Sequence, residues 1–327
     1  FLFGQDYGEN YRNITDELTN VLINKKGRDP DIEIYFVTDS FNLLYGKSEK
    51  DTFDKLEANG IKISFVTRDS LDKKYDFPSL FLKNFKIRLN HRKIVIADNH
   101  MGDVSFVITS ANPHNPSSPN SNVAAYIIGG PIKDILKDEN GFINGFINGF
   151  IDTEKHIYSN TTDGLGVRYL RNGGAVSLLI EKIQNTHEGD GIRIATFILS
   201  EFDVFRELIE ASKRGVDVRI VLDKNIESFG KKKNGKPNLD IIKILGYLNY
   251  EKVRIRWYNT HGEQFHTKLA IINIKNISTV ILGSSNLTPK DGINYNMESD
   301  VAITGNYNSS FVIDVNNYFD RIWYNHN

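Results

Sequence analysis

The 327 residues contain no cysteine, which excludes disulfides, thiolate-held zinc and thiol catalysis. They contain no run of 18 or more apolar residues, so nothing in the sequence reads as a membrane-spanning helix. Charge of either sign is not in excess: the formal net charge is -1 at pH 7, so nucleic acid would meet no global attraction and would need a local basic cleft. What remains is a globular composition, 40% hydrophobic and 25% charged, long enough for one bilobed core or two ordinary domains. The sequence opens on Phe1 and not on Met. The expectation is that further residues precede it in the full protein, a signal peptide or membrane anchor among the options.

Against these absences stands an internal repeat. The stretch HRKIVIAD places His91, Lys93 and Asp98 at the same spacing as His266, Lys268 and Asn273 in HTKLAIIN. Asn112 follows His91 by 21 residues, and Asn286 follows His266 by 20. Asn122 lies 31 residues past His91, and Glu298 lies 32 past His266. Serines precede the paired asparagines, Ser110 in the first half and Ser284 with Ser285 in the second. One H-x-K is weak evidence in a chain of this length. Matched offsets to three further positions in each half make coincidence a poor explanation.

The constellation resembles the phospholipase D superfamily, whose members carry paired HKD motifs, each followed by a G-S-x-N-like strand and an Asn or Glu position. The resemblance covers nearly the whole chain. The words NHRK and RGVDVRIVLD look like the bacterial cardiolipin synthase and phospholipase D-like branch, while GSSNLT also occurs in nuclease-like members. Asn273 departs from the HKD pattern, as do superfamily phosphodiesterases that act on DNA adducts. The resemblance implies an α/β fold of two pseudo-symmetric lobes, each a central mixed sheet flanked by helices, over residues 1–150 and 151–327. With no cysteine and a signal peptide or anchor among the options upstream, a bacterial envelope or secreted location is expected.

Local patterns agree with alternating strands and helices. In the second half, IRIATFILS reads as a buried strand, DVFRELIEASKRG as an amphipathic helix stopped by Gly215, and VDVRIVLD as the next strand. The first half answers with FLF as the tail of a truncated strand, a helix over NITDELTNVLINKKG with Ile14, Leu18, Val21 and Leu22 on its apolar side, and the strand DIEIYFVTD. DTFDKLEANG with IKISFV then matches NLDIIKILGYLNY with KVRIRWY. FVIDVNNYFDRIW reads as a C-terminal helix that packs Phe319, Ile322 and Trp323. Three features fall outside the repeat: the apolar stretch YDFPSLFLKNF at 75–85, read as core packing or as a lip for an acyl chain, the linker NGFINGFINGFI at 140–151, and the lysines 231–233, read as a solvated turn.

A phosphodiester needs an attacking group, cations around the phosphoryl oxygens and an acid for the departing alkoxide. His91 and His266 supply nucleophile and acid, Lys93 and Lys268 the charge, and Asn112 and Asn286 neutral donors. Asp98, Asn273, Ser110 and Ser284 are read as structural or secondary. If Glu298 accepts from the ring of His266, that ring is the acid and His91, beside the neutral Asn122, the nucleophile. N-terminal attack is also what the resemblance implies. No cofactor is expected and no metal: His261 and His266 find no third ligand at metal-site spacing. The leading function is phosphatidyl hydrolysis or transfer on a phospholipid substrate at a membrane surface, by a catalytically complete monomer. The alternatives are a metal-independent nuclease using the same histidines and a headgroup binder without turnover.

Overall fold

The computed structural model describes residues 11–43, 49–66, 89–99, 102–140, 164–228, 231–247, 252–289 and 296–324. The stretch 75–85, Phe1–Phe3 and the linker repeat from residue 141 onward lie outside them. The chain divides into two compact units that are discontinuous in sequence: 1–92, 112–119 and 132–157 form one, and 93–111, 120–131 and 158–327 the other.

The first unit holds α1 (Ile14–Arg28), β1 (Tyr35–Asp39), α2 (Glu49–Ala58), β2 (Lys62–Val66) and α3 (Ile132–Asn140). β1 and β2 pair in parallel, Tyr35 opposite Lys62 through Asp39 opposite Val66. Phe36, Phe53, Leu56 and Ile61 form its buried cluster, with Leu18 and Leu22 of α1 packed against it. Phe53 meets Phe65 edge-on, with 5.1 Å between ring centroids, the arrangement that ring quadrupoles favour. The apolar side expected of α1 needs correction at Val21, which is 62% exposed while Thr15 and Thr19 are buried. Both hydroxyls are satisfied by carbonyls: Thr19 Oγ1 donates to Thr15 one turn back at 2.8 Å, and Thr15 Oγ1 to Pro113, distant in sequence, at 3.3 Å.

The second unit contains β3 (Ile94–Asp98), β4 (Val104–Thr109), β5 (Ala124–Ile128), β6 (Gly166–Arg171), α4 (Gly174–Gln184), β7 (Gly191–Thr196), α5 (Phe202–Lys213) and β8 (Asp217–Leu222). A short ribbon of β9 (Glu227–Ser228) and β10 (Lys231–Lys232) follows, then α6 (Asn238–Tyr247), β11 (Val253–Trp257), β12 (Lys268–Ile274), β13 (Ile277–Gly283), β14 (Ser299–Asn306) and α7 (Ser310–Trp323). Seven strands form one mixed sheet in the order β11-β8-β7-β12-β13-β14-β6. β11, β8 and β7 run parallel, and every pairing from β7–β12 onward is antiparallel. The α/β class with a large mixed sheet flanked by helices is therefore observed.

Side-chain alternation along the strands sorts the two faces. Ile192, Ile194, Val218, Ile220, Leu222, Ala270, Ile272, Ile281 and Ala302 share one buried cluster with Val176 and Leu179 of α4 and Phe205 and Leu208 of α5. Each aliphatic side chain fully buried there contributes roughly 1.5–3 kcal/mol. α7 presents Phe319, Ile322 and Trp323 inward, all at most 5% exposed, as its pattern predicts. β3, β4 and β5 form a separate antiparallel meander, whose buried Val104, Phe106 and Ile108 line one face of β4. β4 packs against β13 and β14. No helix among the described residues is long and apolar enough to cross a membrane.

Candidate active site

The repeat is realised as two meanders of one order, β3-β4-β5 and β12-β13-β14, the second beginning at Lys268 and the first one residue after Lys93. Lys93 and Lys268 are 2% and 4% exposed, burial that a lysine tolerates only where its ammonium has partners. Lys268 Nζ donates to the His266 carbonyl at 3.0 Å and lies 5.5 Å from the centre of the Phe197 ring. The His266 ring rests 5.2 Å from the same Phe197. Phe197 follows β7, next to the Thr196 that pairs with Lys268, so one aromatic side chain supports both members of the second motif.

The ring of His266 is oriented by the first half of the chain. Its Nδ1 lies 3.1 Å from Asn122 Oδ1. That oxygen also accepts from Ser110 Oγ at 3.0 Å, and Asn122 Nδ2 donates to the Asn120 carbonyl at 2.9 Å, which fixes which end of the amide faces the ring. An amide oxygen can only accept, so Nδ1 carries the proton and Nε2 is the nitrogen left for chemistry. A parallel bridge between Ser121 and Phe265 sets the two segments side by side. Ser121 N donates to the Gln264 carbonyl at 3.0 Å and Thr267 Oγ1 to the Ser121 carbonyl at 3.3 Å.

Glu298 does not accept from Nδ1 of His266, contrary to the reading above: Asn122 occupies that place, and the Glu298 carboxylate accepts a short bond from Ser284 Oγ. Ser284–Glu298 repeats Ser110–Asn122 closely. Ser110 Oγ accepts from Val123 N at 3.0 Å, and Ser284 Oγ from Ser299 N at 2.9 Å. Each serine thus ties an Asn or Glu side chain to the backbone of the following strand.

Other groups brace this end of the sheet. Ser285 donates through Oγ to Asp300 at 2.6 Å and through N at 3.0 Å. Gly283 sits at φ +154°, where an added Cβ would come within 2.6 Å of Asp300 Cα. The glycine of GSSN is thus required by close approach. The Lys93 N–H reaches Ser299 Oγ at 3.3 Å. Asn286 buries an Oδ1 that meets no partner among the described residues, polar capacity left over for a ligand. Asp223, at the end of RGVDVRIVLD, accepts from Phe265 N at 2.7 Å and holds the residue before His266. Burial raises the Asp223 carboxyl above the usual carboxylate range, against the two backbone N–H groups that lower it.

His91 and Asn112 belong to the first unit. There the neighbours of His91 are locked: Asn90 N donates to Asp39 Oδ2 at 2.7 Å, and Arg92 Nε to Asn90 Oδ1 at 3.0 Å. Arg92, 3% exposed, pairs with Glu139 at 2.6 Å and Asp138 at 3.4 Å. Asn112 is buried. Asp98 ends β3, and Asn273 lies one residue before the end of β12. Asn273 accepts from Ser278 Oγ at 2.7 Å and donates to Asn316 at 3.3 Å, a structural role. Phe197, Asp223 and Asp300 are not among the residues singled out from the sequence, although Asp223 ends VDVRIVLD as Asp39 ends DIEIYFVTD and each accepts from the backbone N–H of a residue beside a motif histidine. Among the described residues, no three His, Cys, Asp or Glu side chains gather into a metal-binding group.

Residues 179–323 match the family model for the phospholipase D-like domain of cardiolipin synthase. The match supports a phospholipase D superfamily member over that C-terminal part of the chain. No curated protein matches it. Among solved structures it is similar to Nuc, a phospholipase D family member from Salmonella typhimurium, at 23% identity over 49% of this chain and 95% of that one, with a TM-score of 0.37. Polyphosphate kinase from Porphyromonas gingivalis aligns over 97% of this chain but only 41% of its own, at 9% identity and a TM-score of 0.56, a likeness of fold alone. Yeast tyrosyl-DNA phosphodiesterase aligns over 83% of this chain and 76% of its own, at 12% identity and a TM-score of 0.47.

Proposed function

We propose that this phospholipase D-like chain cleaves phosphodiesters through a phosphohistidine, with His91 attacking and His266 handling the proton. The observation that carries this reading is the crossing at His266: an Asn–Ser pair from the first repeat orients the ring of the second, leaving Nε2 for chemistry. Nε2 of His91 forms a bond to phosphorus as the ester oxygen departs, and that oxygen takes the proton of His266 Nε2–H. His266 then removes a proton from water or an alcohol, whose oxygen displaces the histidine and restores both rings. Lys93 and Lys268, with Asn112 and Asn286, answer the charge on the non-bridging oxygens.

A phosphorylated imidazole that keeps its Nδ1–H is cationic, so a carboxylate belongs with the attacking ring. By the repeat, Glu298 is the carboxylate counterpart of Asn122. The N-terminal histidine is kept as nucleophile on this charge asymmetry. The matched meanders also support the duplicated reading of residues 1–150 and 151–327.

The substrate reading is a phosphatidyl group, in line with the cardiolipin synthase-type family model over residues 179–323, and an envelope or secreted location goes with it. The test is lipid mass spectrometry after incubation with phosphatidylglycerol and phosphatidylcholine vesicles, beside His91→Ala and His266→Ala. Phosphatidic acid or cardiolipin should form, and His266→Ala should lose about 10²–10⁴-fold in rate. Unchanged lipids would overturn the phosphatidyl reading. A second reading, cleavage of a nucleic-acid strand by the same histidines, is favoured by arginines that line up across β7, β8 and β11; shortening of an oligonucleotide would support it.

A further inference from the structure

On the sheet face turned away from α4 and α5, three arginines stand in register on adjacent strands: Arg193 of β7 opposite Arg219 of β8, and Arg219 opposite Arg254 of β11. Arg256 follows two residues along β11, on the same face. One carboxylate serves three of these guanidiniums. Asp217 pairs with Arg193 at 2.8 Å, with Arg219 at 3.1 Å and closely with Arg254. Asp320 of α7 adds a contact to Arg219 at 3.8 Å. Burial works to raise the Asp217 carboxyl, but Arg193, Arg254 and Arg219 outweigh it and hold it below the usual range. Four arginines against two aspartates leave the cluster positive, although the chain as a whole is close to neutral.

The arginines are also not fully used. Arg219 buries an Nε that meets no partner among the described residues. Between β11 and the end of α7 a cleft of about 530 Å³ opens, walled by Arg219, Arg254, Arg256, Trp323 and Tyr324. Its volume is in the range of small-ligand sites. Arg256 is braced there, 4.4 Å from the centre of the Trp323 ring and 5.6 Å from that of Tyr324, with Nη1 donating to the Trp323 carbonyl at 2.7 Å. Trp323 is buried and Tyr324 is 54% exposed, so the tyrosine is the aromatic surface offered to a ligand. Among the described residues β11 ends the strand order, and no further strand closes the cleft on that side.

We propose that this cleft binds a segment of single-stranded nucleic acid, a phosphate against Arg219 and Arg254 and a base against Tyr324. Guanidinium forks match phosphate oxygens geometrically, and a sequence-tolerant strand site combines such charge with an aromatic stacking surface. A lipid headgroup would use the arginines but leave the tyrosine without a role, which is why the nucleic-acid strand is preferred. The cleft lies outside the histidine machinery, so its occupancy is measured apart from cleavage.

The experiment is fluorescence anisotropy of a labelled oligothymidylate with the full chain and its Arg254→Ala, Arg254→Lys and Tyr324→Ala variants. Turnover of bis(p-nitrophenyl) phosphate and thermal melting are followed in parallel. Arg254→Ala should weaken binding roughly tenfold, Tyr324→Ala roughly fivefold or more, and Arg254→Lys less than Arg254→Ala, all with unchanged turnover. Should Arg254→Ala melt early, the half-exposed Tyr324 carries the test alone. Oligonucleotide affinity indifferent to both positions overturns the proposal. So does a site that loses phosphatidylglycerol vesicles with Arg254→Ala while Tyr324→Ala changes nothing, because that is a headgroup site. Absent turnover by the parent chain would sink the catalytic reading alone, since anisotropy reads the cleft directly.

Discussion

The meanders β3-β4-β5 and β12-β13-β14 carry the same motif in the same strand order, but they are finished differently on the outside. In the second, Ala270, Ile281 and Ala302 stand in register across the three strands and are 5%, 6% and 4% exposed beneath α4. Their counterparts in the first are Val95, Val107 and Tyr126, in the same register. Val95 is 62% exposed and Tyr126 66%. Small alanines admit a helix against the strands, whereas valine and tyrosine suit an open pleated surface and pair across strands. The duplicated features are therefore those nearest the chemistry: the buried lysines and the serine-held Asn and Glu. The outer faces follow their own neighbours.

The most direct way to break this comparison is to give both rows the same substitution. Ala302→Lys places an unpaired charge beneath α4 and should cost several kcal/mol, whereas Tyr126→Lys replaces an open position and should stay within about 0.5 kcal/mol. Urea unfolding of the two variants measures both. Equal costs would mean that the first meander is covered as the second is. A smaller contrast comes from the serines. Ser284→Ala takes a donor from a buried carboxylate and should cost about 1.5–3 kcal/mol, while Ser110→Ala removes a bond to a neutral amide and should cost about 1 kcal/mol. The reverse ranking in the same unfolding assay would show that Glu298 does not depend on Ser284.

Much of this was legible in the sequence because a duplication checks itself. The strand words around His91 and His266 fell where β3, β4, β12 and β13 begin and end, and the runs IRIATFILS, VDVRIVLD and KVRIRWY became the parallel strands β7, β8 and β11. Orientation between segments was not legible. Offsets align Asn122 with Glu298, but nothing in an offset says which histidine either one meets, and the bond from His266 to Asn122 runs across 144 positions of sequence. Nor does periodicity say how far a strand face is covered. Val21 fits the apolar pattern of α1 yet lies open, while Thr15 and Thr19 take buried places because their hydroxyls find carbonyl partners, Pro113 and Thr15. The arginine row was hidden for a related reason: Arg193, Arg219 and Arg254 are far apart in sequence and meet only through parallel register.

The finest contrast is one of charge: a neutral amide holds His266, while its counterpart in the second half is a carboxylate. Asn122→Asp places a carboxylate about 3 Å from Nδ1, which favours the imidazolium and raises the histidine pKa by about one unit, close to 1.4 kcal/mol. If His266 donates the proton to the leaving oxygen, it must be protonated to act. The alkaline limb of the pH–rate profile then moves upward by about that unit, and activity persists to higher pH. If His266 instead attacked, it would have to be neutral, and the same substitution would move the acid limb upward and remove activity at low pH. A profile of kcat/KM for bis(p-nitrophenyl) phosphate over pH 5–10 separates the two, and movement of the acid limb would reverse the roles assigned to His91 and His266.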